Sequence, residues 1–161
     1  MNLAQHDQRQ RIEIGTVLRF VERFKHALSH GYQTRLNITL NAAAVLREIG
    51  DRQSLNWTQS ELAEDLCLSE STLCTLIERL RREGLVKRSR LEIDRRKTRL
   101  NLTPSGSDLV RQIHEVDDEV LVRLQQVLSD DELAQLNSTF ARITQTIQHQ
   151  DQAADAARRA A

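Results

Sequence analysis

Between Arg79 and Arg99 this 161-residue chain carries ten basic and three acidic residues, an excess of seven positive charges. The formal net charge of the whole chain is zero, so everything outside that segment is negative by the same amount. A merely solvated charged face usually alternates in sign. A neutral chain that gathers its positive charge in one place has the electrostatic footprint of a polyanion's partner. The segment also has a hairpin's pattern. Leu85 to Arg90 can form one strand and Lys97 to Leu102 another, with Thr98, Leu100 and Leu102 alternating inward. Glu92-Ile93-Asp94-Arg95-Arg96 lies between them.

Two short helices are expected directly before it. Thr58 and Glu61 have the spacing of a capping box, with Trp57 and Leu62 placed to close it as a hydrophobic staple. Leu62, Ala63 and Leu66 form a small apolar face, and the chain turns at Cys67-Leu68. Ser69 is the expected cap of the second helix. There Leu73, Leu76, Ile77 and Leu80 fall at i, i+3, i+4 and i+7, one buried stripe. Ser71, Thr75, Glu78 and Arg82 project away from it, with Thr72 and Arg79 beside them. Short hydroxyl side chains let a helix sit close to base edges, and arginines reach phosphate or guanine. Gly84 supplies the stop. Helix, turn, helix and basic hairpin together predict a mainly α fold with a small β-hairpin wing, a winged helix-turn-helix.

The residues that follow this plan also carry a family resemblance. Thr39-Leu40-Asn41, Val45-Leu46, Leu62-Ala63, Ser71-Thr72-Leu73, Ile77-Glu78-Arg79-Leu80, Gly84-Leu85-Val86, Asp94-Arg95-Arg96 and Leu102-Thr103-Pro104-Ser105-Gly106 resemble the multiple-antibiotic-resistance regulator (MarR) family of bacterial transcription factors. The resemblance spans roughly residues 10 to 150 and is sharpest in the wing. It implies a homodimer, a recognition helix in the major groove and a wing arginine in the minor groove. By position that arginine is Arg96, with Asp94 bracing the wing. It also implies a small anionic or phenolic effector bound between the dimer helices and the DNA-binding lobe. Cys74-Thr75 departs from the family pattern, where a hydroxyl is often followed by arginine or another long polar side chain.

The remaining chain reads as scaffold. Ile14, Val17, Leu18, Val21, Phe24 and Leu28 predict a long amphipathic helix from Arg11 to about Gly31, and a second helix is expected from about Asn41 to Gly50, followed by a polar loop to Asn56. After the wing, Thr103 caps a helix with Pro104 at its first position. Its apolar positions are Leu109, Ile113, Val116, Val120, Leu124 and Val127, and Glu115 to Glu119 is expected to be a solvated acidic face. Ser129 and Glu132 form a second capping box. Leu133, Leu136, Phe140, Ile143 and Ile147 then make a narrow seam that requires a partner helix. The tail from Asp151 is expected to be frayed helix or disorder. The division predicted is a dimerisation helix (1–33), a DNA-binding lobe (34–103), helices completing the dimer (104–150) and a tail (151–161).

Several other chemistries find little support. His26 and His30 have a zinc-compatible i, i+4 spacing but no accompanying ligand motif, and are read as surface residues. Cys67 and Cys74 do not form C-x-x-C. Cys74 is a candidate redox residue beside the recognition helix, against the plainer reading of two small free thiols. No phosphate-binding glycine loop or nucleophile elbow is present, so neither an enzyme nor a cofactor is expected. The absence of a long apolar run and of an apolar N-terminal core predicts a cytosolic protein with no membrane partner, and the family resemblance implies a bacterial, nucleoid-associated one. The expected function is a homodimeric duplex-DNA-binding regulator, most simply a repressor. Its expected contacts are Ser69, Ser71, Thr72, Thr75, Arg79 and Arg82 on the recognition helix, and Arg88, Arg90, Asp94, Arg95, Arg96 and Lys97 on the wing. The alternative is a helical interaction module whose basic hairpin meets an acidic protein.

Overall fold

The computed structural model describes residues 13–51, 59–90 and 98–160, with side chains described as far as residue 150 apart from Arg90 and Thr98. The expected capping box at Thr58, the Trp57 staple and the loop to Asn56 lie outside these residues, as do wing residues Asp94, Arg95, Arg96 and Lys97. The elements in order are α1 (Ile14–Gly31), a π-helical turn (Tyr32–Leu36), α2 (Leu40–Asp51), α3 (Gln59–Asp65) and α4 (Glu70–Arg82). There follow β1 (Val86–Arg90), β2 (Thr98–Leu102), α5 (Pro104–Gln125) and α6 (Asp130–Ala160). Two compact units, 1–118 and 119–161, meet at a boundary within α5. No helix among the described residues is long and apolar enough to cross a membrane.

In the first unit the core gathers around α2. Ala42, Ala43, Val45, Leu46 and Ile49 are buried there, with Leu62 and Ala63 of α3, Leu73, Ile77 and Leu80 of α4, and Val110, Ile113 and Val116 of α5. Ala42 and Ala43 are small enough for neighbouring backbones to approach closely. Thr39 caps α2 by accepting a hydrogen bond from the Ala42 amide at 3.2 Å, so the helix begins at Leu40, one residue before the expected start. The strands pair antiparallel, with Val86 opposite Leu102 and Arg88 opposite Leu100. Val86 and Leu102 are buried, which fixes the hairpin's inner face.

The two helix stops around α4 use one device. At the end of α4 the Leu85 amide donates to Leu80 O at 2.9 Å and the Gly84 amide to Arg81 O at 3.0 Å. Gly84 has a φ of 72°, so this is a Schellman stop with glycine in the left-handed position. The turn between α3 and α4 repeats it: Leu68 N–H donates to Ala63 O at 2.8 Å and Cys67 N–H to Glu64 O at 3.0 Å. The left-handed residue there is Cys67, at a φ of 52°. A β-carbon in that region costs about 1 kcal/mol, so this turn carries a small strain that glycine at the same position would relieve.

Thr103 and Gly106 tie α5 to the end of α4. The Thr103 hydroxyl donates to Gly84 O at 2.6 Å and accepts from the Gly106 amide at 3.1 Å. The Thr103 amide donates to Leu85 O at 3.0 Å. A β-carbon built at Gly106 would lie 2.1 Å from Leu85 O. Thr-Pro-Ser-Gly is thus a cap whose fourth residue must be flat enough to rest on the carbonyl ending the recognition helix.

The first helix ends at Gly31, where it was expected to, and the chain passes directly into a π-helical turn closed by Asn37 in the left-handed region. Thr34 contributes by donating its hydroxyl to His30 O at 2.7 Å, a back-bond that bends helices. The backbone from Asp151 is helical through Ala160; five alanines between Ala153 and Ala160 give that stretch high helix propensity. Asp117 does not belong to a solvated acidic face. It accepts the Tyr32 hydroxyl and an Arg47 N–H at 2.6 Å. This tie joins the π-helical turn, α2 and α5 within the first unit.

The tie is readable by titration. Tyr32 is fully buried. Burial first, and then the hydrogen bond to Asp117 and its negative charge, push the phenol from 10.0 up to about 12, with Arg47 opposing. Below pH 10 the phenol is protonated in both folded and unfolded chains, so its contribution to stability is complete. As pH rises from 10 towards 12 the unfolded chain releases the proton first and stability falls. The chain contains a single tyrosine, so tyrosinate absorbance of the native protein reports Tyr32 alone. We expect a midpoint near 12; a midpoint near 10 would show that Tyr32 is in water.

In the second unit Ser129 and Glu132 close the expected box. The Ser129 amide donates to Glu132 Oε2 at 2.8 Å, and the Glu132 amide donates to Ser129 Oγ at 3.4 Å. The Ser129 backbone N–H and hydroxyl lower the Glu132 carboxyl below its usual value. Phe140, Ile143 and Ile147 of α6 are exposed.

Candidate nucleic-acid interface

The exposed face of α4 opens at its N-terminus with hydroxyl groups. Ser69 accepts the Thr72 amide at 3.2 Å, and its oxygen lies 3.1 Å from Ser71 Oγ and 2.7 Å from Thr72 Oγ1. The Ser60 hydroxyl donates to Glu70, pinning α3 to the first turn of α4. Thr75 donates its hydroxyl to Ser71 O at 2.9 Å. Ser69 is therefore occupied as a cap, while Ser71, Thr72 and Thr75 lie exposed along the helix. Together with Leu76, Arg79, Thr39 and Asn41 these three line an open cleft of about 450 Å³. Leu76, expected in the buried stripe, is only half-buried at this cleft. Thr39 and Asn41 were not among the expected contacts. The sequence signal for them was the Thr39 cap, which brings the first turn of α2 beside α4.

Arginines dominate the other end of the face. Arg79 donates to Glu83 Oε1 at 2.8 Å. Arg81 and Arg88 both reach Glu78, at 2.7 Å and 2.8 Å. Arg82 is exposed and has no ion pair among the described residues. In β1 the alternation puts Arg88 on the Val86 side of the hairpin, opposite Leu100, so it turns towards α4. Lys87 and Ser89 occupy the other side and are exposed. The backbone of Arg90 is in β1.

Little else competes for a role. Among the described residues no group of three or more histidines, cysteines and carboxylates is placed to hold a metal ion. His26 and His30 stack along α1 with ring centroids 6.5 Å apart. Cys67 and Cys74 are free and exposed. Mild peroxide treatment is expected to leave duplex-DNA affinity unchanged; a large loss restored by thiol in a gel-shift titration would contradict this.

The local layout, a capped hydroxyl-led helix ending in arginines and stapled to a basic hairpin, recurs in known proteins. The MarR family signature matches residues 38–98. The chain is 28% identical over 113 residues to the organic hydroperoxide resistance transcriptional regulator of Bacillus subtilis (strain 168), covering 70% of this chain and 74% of that protein. It is 28% identical over 107 residues to the regulator FarR of Neisseria gonorrhoeae, covering 66% and 72%. Reduced MarR from E. coli superimposes with a TM-score of 0.64 at 27% identity, over 83% of this chain and 98% of that one. The S. aureus MepR–DNA complex superimposes at 0.69 and 23% identity, over 84% and 99%, a likeness of fold. The family match covers α2, the helix pair α3 and α4, and β1, and reaches the first residue of β2, and the relatives named are transcription regulators. Residues 38–98 thus match the MarR family, and along about two thirds of its length the chain is similar to bacterial transcription regulators, with the winged-helix fold of MarR and MepR.

Proposed function

We propose that the protein is a homodimeric repressor that reads a pseudo-palindromic operator. Ser71, Thr72, Thr75, Arg79 and Arg82 of α4 lie in the major groove, and the hairpin with Arg88, Arg90, Arg95, Arg96 and Lys97 lies against the backbone and minor groove. Asp94 braces the wing and Arg96 enters the minor groove. The observation that carries this reading is the exposed face of α4, short hydroxyls first and arginines last, beside a hairpin that concentrates the chain's positive charge. A twofold pair presents two such faces about one duplex turn apart, ~34–36 Å, which makes the target a pseudo-palindrome. The exposed apolar row on α1 (Ile14, Val17, Leu18 and Val21) and the row on α6 (Phe140, Ile143 and Ile147) support pairing. In this division 1–33 and 104–150 form the dimer and 34–103 reads DNA, in the bacterial cytosol at the nucleoid. A small anionic or phenolic effector releases the operator by binding more tightly to the spacing that does not fit DNA.

Selection of duplexes from a random-sequence pool by the purified protein, followed by sequencing, tests the reading. The expected result is an inverted repeat bound with a log–log salt slope of about −4 or steeper. Binding that ignores competitor DNA and follows an acidic protein instead would overturn it. On the selected site, Arg96→Ala is expected to weaken binding roughly 5- to 150-fold; unchanged affinity at physiological salt would reject Arg96 as the wing contact.

A further inference from the structure

The DNA-reading end of α4 contains one residue of the wrong sign. Glu78 shares the outward face with Ser71, Thr75 and Arg82, where a bare carboxylate would repel the phosphate rails. It is not bare. Its Oε2 accepts from Arg81 Nη1 at 2.7 Å, and its Oε1 is 2.8 Å from Arg88 Nη2. Arg81 lies one turn further along the same helix, whereas Arg88 comes from β1, on the inner side of the hairpin. One carboxylate therefore spans two elements, with each oxygen taken by a different arginine.

We propose that Glu78 is a positioning and specificity-determining residue. It sets the hairpin's angle to the recognition helix and withholds two arginines from indiscriminate phosphate contact. The inference rests on the DNA-reading role proposed for α4 and the wing. The physical argument is one of competition. Side chains of Arg81, Arg88 and Glu78 are all between 33% and 41% exposed, so the pairs are solvent-screened and contribute little to folding. A weak pair is suited to regulating access, because a phosphate oxygen can displace the carboxylate. Displacement is unfavourable on any duplex. It is compensated only where base contacts by Ser71, Thr72, Thr75 and Arg79 hold the helix in register. On random DNA the arginines stay with Glu78, and the counterion-release contribution of two cations is withheld from non-specific binding. Arg88 held on Glu78 also keeps β1 close to the end of α4, so the hairpin approaches the neighbouring groove at a fixed offset from the helix.

The test uses Glu78→Gln, which keeps the shape and removes the charge, together with Arg88→Gln and the double variant. Each full-length protein is titrated against the selected site and against a scrambled duplex of equal length at several salt concentrations. Glu78→Gln is expected to bind the scrambled duplex roughly 3- to 10-fold more tightly, with a salt slope steeper by about 1 to 2 per subunit. The ratio of selected-site to scrambled-duplex affinity is expected to fall about tenfold or more. Arg88→Gln is expected to lower the ratio as well, and the double variant to lower it no further than the larger single effect. An unchanged ratio in Glu78→Gln overturns the proposal, as do multiplying effects in the double variant. If Glu78→Gln does not fold, as read by its thermal melt, the claim that the pairs are dispensable to stability is refuted and the proposal with it. A wild-type protein that does not distinguish the two duplexes defeats the proposed function itself. A wild-type protein that does, beside a Glu78→Gln variant that discriminates equally well, defeats only this inference.

Discussion

Gly106→Ala is expected to destabilise the protein by about 3 kcal/mol, the upper range for forcing an atom into a filled space. The new β-carbon would stand 2.1 Å from the Leu85 carbonyl oxygen, where ordinary contact requires more than 3 Å. The obstacle is backbone, not the end of a flexible side chain, so relief requires moving α5 or the turn at Gly84 and Leu85. Either movement stretches the 3.0 Å bond from the Thr103 amide to Leu85 O and the 2.6 Å bond from its hydroxyl to Gly84 O. For a domain of this size the loss corresponds to a fall in Tm of roughly 6 to 12 °C, measurable by calorimetry. DNA affinity should fall too, because the same turn holds the arginine end of α4. A variant melting within about 2 °C of wild type would show that α5 adjusts freely at this point.

Asp117→Ala should produce the next largest effect, about 2–3 kcal/mol. Removing one partner of a fully buried ion pair costs about 3–5 kcal/mol. The Arg47 and Asp117 side chains retain 30% and 15% exposure, which places this pair below that range. The loss includes two stranded donors, the Arg47 guanidinium and the buried Tyr32 hydroxyl. Asp117→Asn retains an acceptor for Tyr32 and should lose less. Urea unfolding of Asp117→Ala, Arg47→Ala and the double variant should give a coupling energy of about 1 kcal/mol or more. Additive effects would mean that the two side chains are neighbours without being energetically joined.

These two sites differ in how far the sequence disclosed them. The recognition helix was legible because its determinants are local. Ser69 caps it, Leu73, Ile77 and Leu80 recur on one stripe, and Gly84 stops it, all within sixteen residues. Thr103 and Pro104 likewise announce α5. The tie at Asp117 was hidden because its partners lie 70 and 85 residues away in the chain, and no periodicity connects them. Its setting among Glu115, Asp118 and Glu119 made it look like one more solvated acid. The turn before α4 was located correctly, but its mechanism was concealed because cysteine, not glycine, takes the left-handed position. Glu78 was placed correctly on the outward face, yet only the cross-element geometry shows that Arg88 turns back to meet it.

The π-helical turn begins directly after a close approach of α1 to α5 at Gly31. A β-carbon at Gly31 would meet Val116 Cγ1 at 2.7 Å, so the two helices touch there almost backbone to side chain. Helix α1 has 18 residues and is therefore about 27 Å long. A rotation of about 10° at this fulcrum would swing its far end through ~5 Å, comparable to the rise of a base-pair step and a half. A lever of that length would turn a small repacking around Gly31, Tyr32 and Val116 into a displacement of several ångströms at Ile14.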